Sequence, residues 1–318
     1  MQENGVKWSE LSVEVGWGVL RGKTCVVDGG TTNDHLKILC LHGWLDNANS
    51  FDTLVPLLPT GVEVLTLDLP GHGLSDHLPP GAHYNCMTYL LNVRLAVTKL
   101  GWQKFAFMSH SMGAFIANYY TALFPEDVIA LIQLDYMLPY HSQDIIATWR
   151  AEVKMLTKTK PSEKIQPLHT KDVAIQRLIN ARTYGSNIED VSIDEDSAEI
   201  LLLRSARCID GGYRWCHDIR VHSRFIMLFG LDNWQTVISR ITCPVLLLRA
   251  TNGVCKYYPE ALCKTVLETY SSGSRSFHYR VVNGGHHVHL TNPERVAPHL
   301  IQFLSHITQP IHLTASKL

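Results

Sequence analysis

Ser111 stands in the stretch Ser109-His110-Ser111-Met112-Gly113-Ala114-Phe115. A serine oxygen is a weak nucleophile and does chemistry only where a neighbouring base takes its proton. Before it, Phe105-Ala106-Phe107-Met108 is a short apolar run that reads as a buried strand. After it, Ala114 to Tyr120 is an apolar-rich run that reads as a helix packed on a sheet. A serine at a strand-to-helix corner, with glycine two places later, is the layout of a nucleophile elbow. The corner is tight, and Gly113 lets neighbouring backbone pass where a Cβ would stand in the way. The usual pattern has glycine two places before the serine as well, and Ser109 replaces it here. Serine is the smallest replacement that carries a Cβ, so the corner can form. Ser-x-Ser-x-Gly alone also suits an ordinary loop serine.

A second stretch, Gly284-Gly285-His286-His287-Val288-His289-Leu290, offers three histidines. They can supply a base or ligate a metal. A metal needs convergent ligands and a supporting shell, and no second ligand cluster stands out along the chain. Neither a metal nor any other cofactor is expected. A third stretch is the last tripeptide, Ser316-Lys317-Leu318. It reads as a peroxisomal address recognised by an import receptor, against the alternative of an accidental tail. The expected localisation is the peroxisome with a cytoplasmic pool.

The elements that must position these residues alternate. "SVEVGWGVLRGKTCVV" reads as a hairpin, and "HLKILCLHG", "GVEVLTLDL", "FAFMSHS" and "VIALIQLD" read as buried strands. Helices are expected at "SFDTLVPLLP" and "MTYLLNVRLAVTKLG". The pattern implies a mostly parallel sheet with helices on both faces, an α/β fold. Residues 140 to about 225 change character, with more charge and three amphipathic helical stretches. The expected organisation is a core over 1–139, a helical cap insert over 140–225, and the rest of the core over 226–318. Ligands bind at the carboxyl edge of such a sheet, where inserts commonly cover the site.

Bulk properties narrow the partners. The chain has 318 residues, 46% of them hydrophobic, enough for one large core. A formal net charge of −1 gives no pull toward nucleic acid or anionic membrane. No run of eighteen apolar residues suggests a membrane span, and the polar start does not read as a signal peptide. Eight scattered cysteines read as reduced, mostly buried thiols.

With "LHGWLDNANSFD", "DLPGHGLSD" and "GGHHVHLTNPE" added to the elbow, the chain resembles the α/β-hydrolases, and within them the serine hydrolase-like proteins. The resemblance covers nearly the whole chain. It implies the α/β-hydrolase fold and Ser111 as nucleophile. It implies an oxyanion hole from the backbone N–H groups of Trp44 and Met112, and His286, directly after the glycine, as base. His289 is then structural, and the loop around Asp68 and His72 shapes the site without doing chemistry. The acid often follows the strand that is here "PVLLLRATNGV", where Gly253 stands at about its position. Other branches place it one strand earlier, which here is Asp135 at the end of "VIALIQLD". Asp135 is the expected acid. A capping role for it, a dyad, or a histidine oriented by Asn252 are the alternatives. The implied activity is cleavage of an ester-like small-molecule acyl substrate through an acyl-enzyme. A peroxisomal acyl-CoA thioesterase, or a catalytically quiet binding protein on the same fold, are the other readings.

Overall fold

The computed structural model describes residues 6–27, 35–139, 144–158, 167–183, 192–222 and 231–308. The Ser316-Lys317-Leu318 tail and parts of the proposed insert lie outside these residues.

The chain opens with the hairpin β1 (Ser9–Val15) and β2 (Gly18–Val27), followed by β3 (Leu36–Leu41), β4 (Val62–Leu67), α1 (Cys86–Lys99) and β5 (Phe105–His110). Next come α2 (Met112–Leu123), β6 (Val128–Leu134), α3 (Ile145–Lys158), α4 (Lys171–Ala181), α5 (Glu195–Ser205) and a small hairpin, β7 (Ala206–Ile209) and β8 (Gly212–Trp215). The chain closes with α6 (Leu231–Ile238), β9 (Val245–Asn252), α7 (Glu260–Gly273), β10 (Phe277–Gly285), α8 (Val288–Thr291) and α9 (Pro293–Thr308).

Eight strands form one sheet in the order β1-β2-β4-β3-β5-β6-β9-β10. β1 pairs antiparallel with β2, and β2 with β4; from β4 to β10 every pair is parallel. Both faces of the parallel strands are covered, which is why they read as continuous apolar runs rather than alternating ones. In β5, Phe105 and Phe107 join one core with Leu90 and Val93 of α1, Phe115 of α2 and Tyr270 of α7. Ala106 and Met108 point the other way, into a second core with Phe51, Leu54, and Leu300 and Phe303 of α9. This is the period of two expected of a strand. A third cluster joins α4 and α5 through Ala174, Ile175, Leu178, Leu201 and Leu202, and includes Leu290 of α8.

The stretch "SFDTLVPLLP" departs from expectation. It folds as two short 3-10 turns, Ala48–Phe51 and Val55–Leu57, not as an α-helix. Pro56 lacks an N–H and restricts the residue before it, so helical spacing does not propagate. Asn47 caps the first turn by accepting the Asn49 amide at 3.0 Å. All eight cysteines are free, and Cys25, Cys40, Cys86, Cys243, Cys255 and Cys263 are buried. Among the described residues, no helix is long and apolar enough to cross a membrane.

Candidate active site

Ser111 sits between the end of β5 and the start of α2 with φ 51° and ψ −116°. A non-glycine residue rarely adopts a positive φ, and such strain persists only where surrounding structure enforces it. Here α2 is pressed onto β3: a Cβ on Gly113 would come within 2.1 Å of the Leu41 carbonyl oxygen. Glycine lets the helix start that close, and the corner must turn sharply at Ser111. Ser109 is fully buried inside β5 and registers opposite Leu41 and Gln133.

Three of the five non-glycine residues with positive φ among the described residues lie around this corner. They are Leu45 (φ 61°), Ser111 (φ 51°) and Asp135 (φ 47°). Each follows the carboxyl end of a parallel strand, β3, β5 and β6 respectively. Asp135 turns its carboxylate across to the neighbouring strand. It accepts hydrogen bonds from the Ala250 amide at 2.8 Å and the Val254 amide at 3.1 Å. Its Oδ2 lies 2.6 Å from Nδ1 of His286, and both side chains are buried. A carboxylate only accepts, so Nδ1 carries the proton and Nε2 is left with the lone pair. A Cβ at Gly253 would lie 1.9 Å from Asp135 Oδ2, so the Asp135 carboxylate fills the space a side chain at 253 would need. His286 Nδ1 therefore faces Asp135, not Asn252. The His286 ring packs 4.4 Å, centroid to centroid, from that of His110, the residue before Ser111. Structure thus brings Ser111, Asp135 and His286 to one corner of the sheet edge.

Met112 is the first residue of α2. Its N–H is one of the amides at a helix start that lack an intrahelical acceptor. Trp44 lies in the turn after β3, where the Asp46 amide donates to the Gly43 carbonyl at 3.1 Å. The Trp44 indole N–H donates to the Val221 carbonyl at 2.7 Å.

Beneath this corner lies a polar layer that the sequence reading did not assign. Asp46 is buried, and Arg182 grips its Oδ1 through Nε at 2.9 Å and Nη2 at 2.7 Å. His287 Nε2–H donates to Asp46 Oδ2 at 3.1 Å, and His287 Nδ1 accepts from Ser192 Oγ at 2.7 Å. His110 Nε2–H donates to the His286 carbonyl at 2.9 Å. His110 Nδ1, at 3.6 Å from Asp46 Oδ2, is too far for a hydrogen bond. His289 Nε2 meets Ser50 Oγ at 2.9 Å. Asp46, His110 and His287 each present a ligand atom within 4.8 Å of one another, the spacing of a metal site. The guanidinium already held by Asp46 sets a positive charge against any dication there.

Asp68 and His72 are structural neighbours of the corner. Asp68 accepts from the Ala48 and Leu74 amides at 2.7 and 2.9 Å, and Arg204 of α5 forks onto its Oδ2. His72 Nδ1–H donates to the Pro70 carbonyl at 3.1 Å. Two buried arginines, Arg182 and Arg204, therefore tie the α4–α5 layer to the loops after β3 and β4. Trp215 lines a cavity of about 400 Å³ together with Leu45, Leu178, Ile219, His217 and Arg182.

The electrostatics follow from burial. Burial works to raise the Asp46 carboxyl, but the Arg182 guanidinium, with the His287 hydrogen bond, overrides it and holds the group well below its ordinary range. Burial lowers His287 to about 3 against the opposing pull of Asp46. It also lowers His42, His72, His110 and His289. These histidines fold neutral, whereas in the unfolded chain each gains a proton near pH 6.5. A depressed folded pKa gives stability that is present above the unfolded value and lost as pH falls. By pH 5, His287, held at about 3, withdraws roughly 1–2 kcal/mol, and the other histidines act in the same direction. The melting temperature is expected to drop steeply between pH 7 and pH 5. A melting temperature that stays flat over that interval would contradict neutral burial of this layer.

The α/β-hydrolase fold family matches residues 38–156. A serine hydrolase-like protein of Danio rerio is 34% identical, over 93% of this chain and 88% of its own. Serine hydrolase-like protein 2 of Homo sapiens is 29% identical, over 93% of this chain and 94% of its own. The crystal structure of a hypothetical protein from Pseudomonas aeruginosa PAO1 superposes with a TM-score of 0.76 at 27% identity, covering 93% of this chain and 98% of that one. Sheet order, strained corner and relatives over nearly the full length agree, and the chain belongs to the α/β-hydrolase superfamily, among the serine hydrolase-like proteins.

Proposed function

We propose that the protein is a serine hydrolase that cleaves ester-like acyl substrates through an acyl-enzyme on Ser111. The observation that carries this reading is the 2.6 Å contact of His286 Nδ1 with Asp135 Oδ2 beside the strained Ser111 corner. The carboxylate holds the tautomer whose Nε2 can take the Ser111 proton. Ser111 Oγ attacks the acyl carbonyl, and the Trp44 and Met112 amides hold the oxyanion that forms. His286 then protonates the leaving group, and water repeats the cycle on the acyl-enzyme. The cavity beside Leu45 takes an apolar part of the substrate, since Leu178, Ile219 and Trp215 wall it. Turnover of p-nitrophenyl esters by the wild type, compared with Ser111→Ala, tests the reading.

The Ser316-Lys317-Leu318 tripeptide supports a peroxisomal destination as a separate proposal. A fluorescent fusion with the tripeptide at a free carboxyl terminus is expected in peroxisomes, and one lacking it in the cytosol. Identical distributions would reduce the tripeptide to coincidence.

A further inference from the structure

We propose that Arg182 is a positioning residue, delivered from the end of α4, that sets the orientation of the Trp44 amide. The inference rests on the hydrolase reading above and adds a residue that no part of the elbow or of the base loop supplies.

One chain of bonds links Arg182 to the Trp44 amide. Gly43 C=O and Trp44 N–H belong to the same planar peptide, so whatever fixes one group fixes the other. The Gly43 carbonyl accepts the Asp46 amide at 3.1 Å and His42 Nδ1–H at 2.7 Å. His42 is held in turn, its Nε2 accepting the Leu69 amide at 3.0 Å. The far end of the turn is gripped by Arg182. Besides its fork on Asp46, its Nη2 donates to the Leu45 carbonyl at 2.8 Å, and its Nη1 donates to the Leu178 carbonyl of α4 at 3.1 Å. Leu45, with its positive φ, sits directly between Trp44 and Asp46. A β-carbon disfavours that conformation, so the turn needs an outside hold to keep it. Arg182 is 4% exposed, and a planar fork on a carboxylate and a carbonyl fixes direction as well as distance. Asp46 also receives His287, the neighbour of His286, so one carboxylate couples the oxyanion turn to the base loop.

The consequence is a hole whose alignment depends on a residue from the α4–α5 layer. Removing Arg182 alone leaves Asp46 buried without its cation, which endangers folding. Arg182→Met is therefore paired with the double variant Asp46→Asn/Arg182→Met, which leaves no unpaired buried charge. The substrate is p-nitrophenyl acetate, whose acyl group is too short to depend on the cavity. The parallel readout is inhibition by a trifluoromethyl ketone, whose tetrahedral adduct places an oxyanion in the hole.

In folded variants kcat is expected to fall about 10–100-fold, and ketone affinity to weaken by the same factor. KM should stay within roughly threefold, the split that marks an interaction made in the transition state. A folded double variant with wild-type kcat overturns the inference. So does a kcat loss with undiminished ketone inhibition, which would place the damage away from the oxyanion. In both cases wild-type turnover leaves the hydrolase reading intact. If the wild type neither turns over the ester nor reacts with a fluorophosphonate, the hydrolase reading fails and this inference falls with it.

Discussion

Replacing Ser111 by alanine is expected to lower kcat on any ester that the wild type turns over by about 10⁴–10⁶, the scale on which a nucleophile acts together with its base. The fold should survive. The bonds that shape the corner are backbone ones: the Ser111 amide to the Leu134 carbonyl at 3.3 Å, and the Phe115 amide to the Ser111 carbonyl at 3.1 Å. Alanine has a Cβ like serine and bears the same positive φ at the same cost. Activity should therefore vanish while the melting temperature stays close to that of the wild type. A folded Ser111→Ala enzyme with more than a few per cent of wild-type activity would exclude this serine as the nucleophile.

Asp135→Asn is the second large effect, a kcat loss of roughly 10²–10⁴ with KM little changed. The carboxylate accepts hydrogen bonds from the Ala250 amide, the Val254 amide and His286 Nδ1. An asparagine has one accepting oxygen and one donating NH₂, so it cannot accept on both sides. If the oxygen stays with His286, the NH₂ faces the Ala250 amide donor. If the amide flips, its NH₂ donates to Nδ1 and drives the imidazole into the tautomer that cannot take a proton from serine. Asn252→Ala should cost about tenfold or less, because His286 Nδ1 faces Asp135. Near-full activity in Asp135→Asn with a large loss in Asn252→Ala would reverse the assignment and give the orienting role to the end of β9.

The parts of this arrangement differ in how far the sequence announces them. The parallel strands are legible because burial on both faces leaves short apolar runs ended by glycine or a polar residue, as in β3 and β5. The corner at Ser111 is legible because strand, serine, glycine and helix are contiguous. Asp135 is legible only as one candidate among several. Its place at the carboxyl end of β6 is the signal the sequence offers; that Gly253 leaves room for its carboxylate is visible only in the structure. "SFDTLVPLLP" misleads because its apolar spacing satisfies a helix while Pro56 prevents one. The layer under the site is not legible at all: Arg182 meets Asp46 from 136 residues away, and His287 meets it from 241. Only a buried carboxylate inside an otherwise apolar turn hints that a distant cation must exist, since an unpaired charge there would be costly.

Whether Ser111 is a nucleophile activated at this corner is read out by peptide-level mass spectrometry after treating the native wild-type protein with a fluorophosphonate. The expected result is a single phosphonyl adduct on the peptide containing Ser111, absent from folded Ser111→Ala and strongly slowed in Asp135→Asn. No adduct on the native protein, or an adduct on another residue that persists in Ser111→Ala, would contradict it.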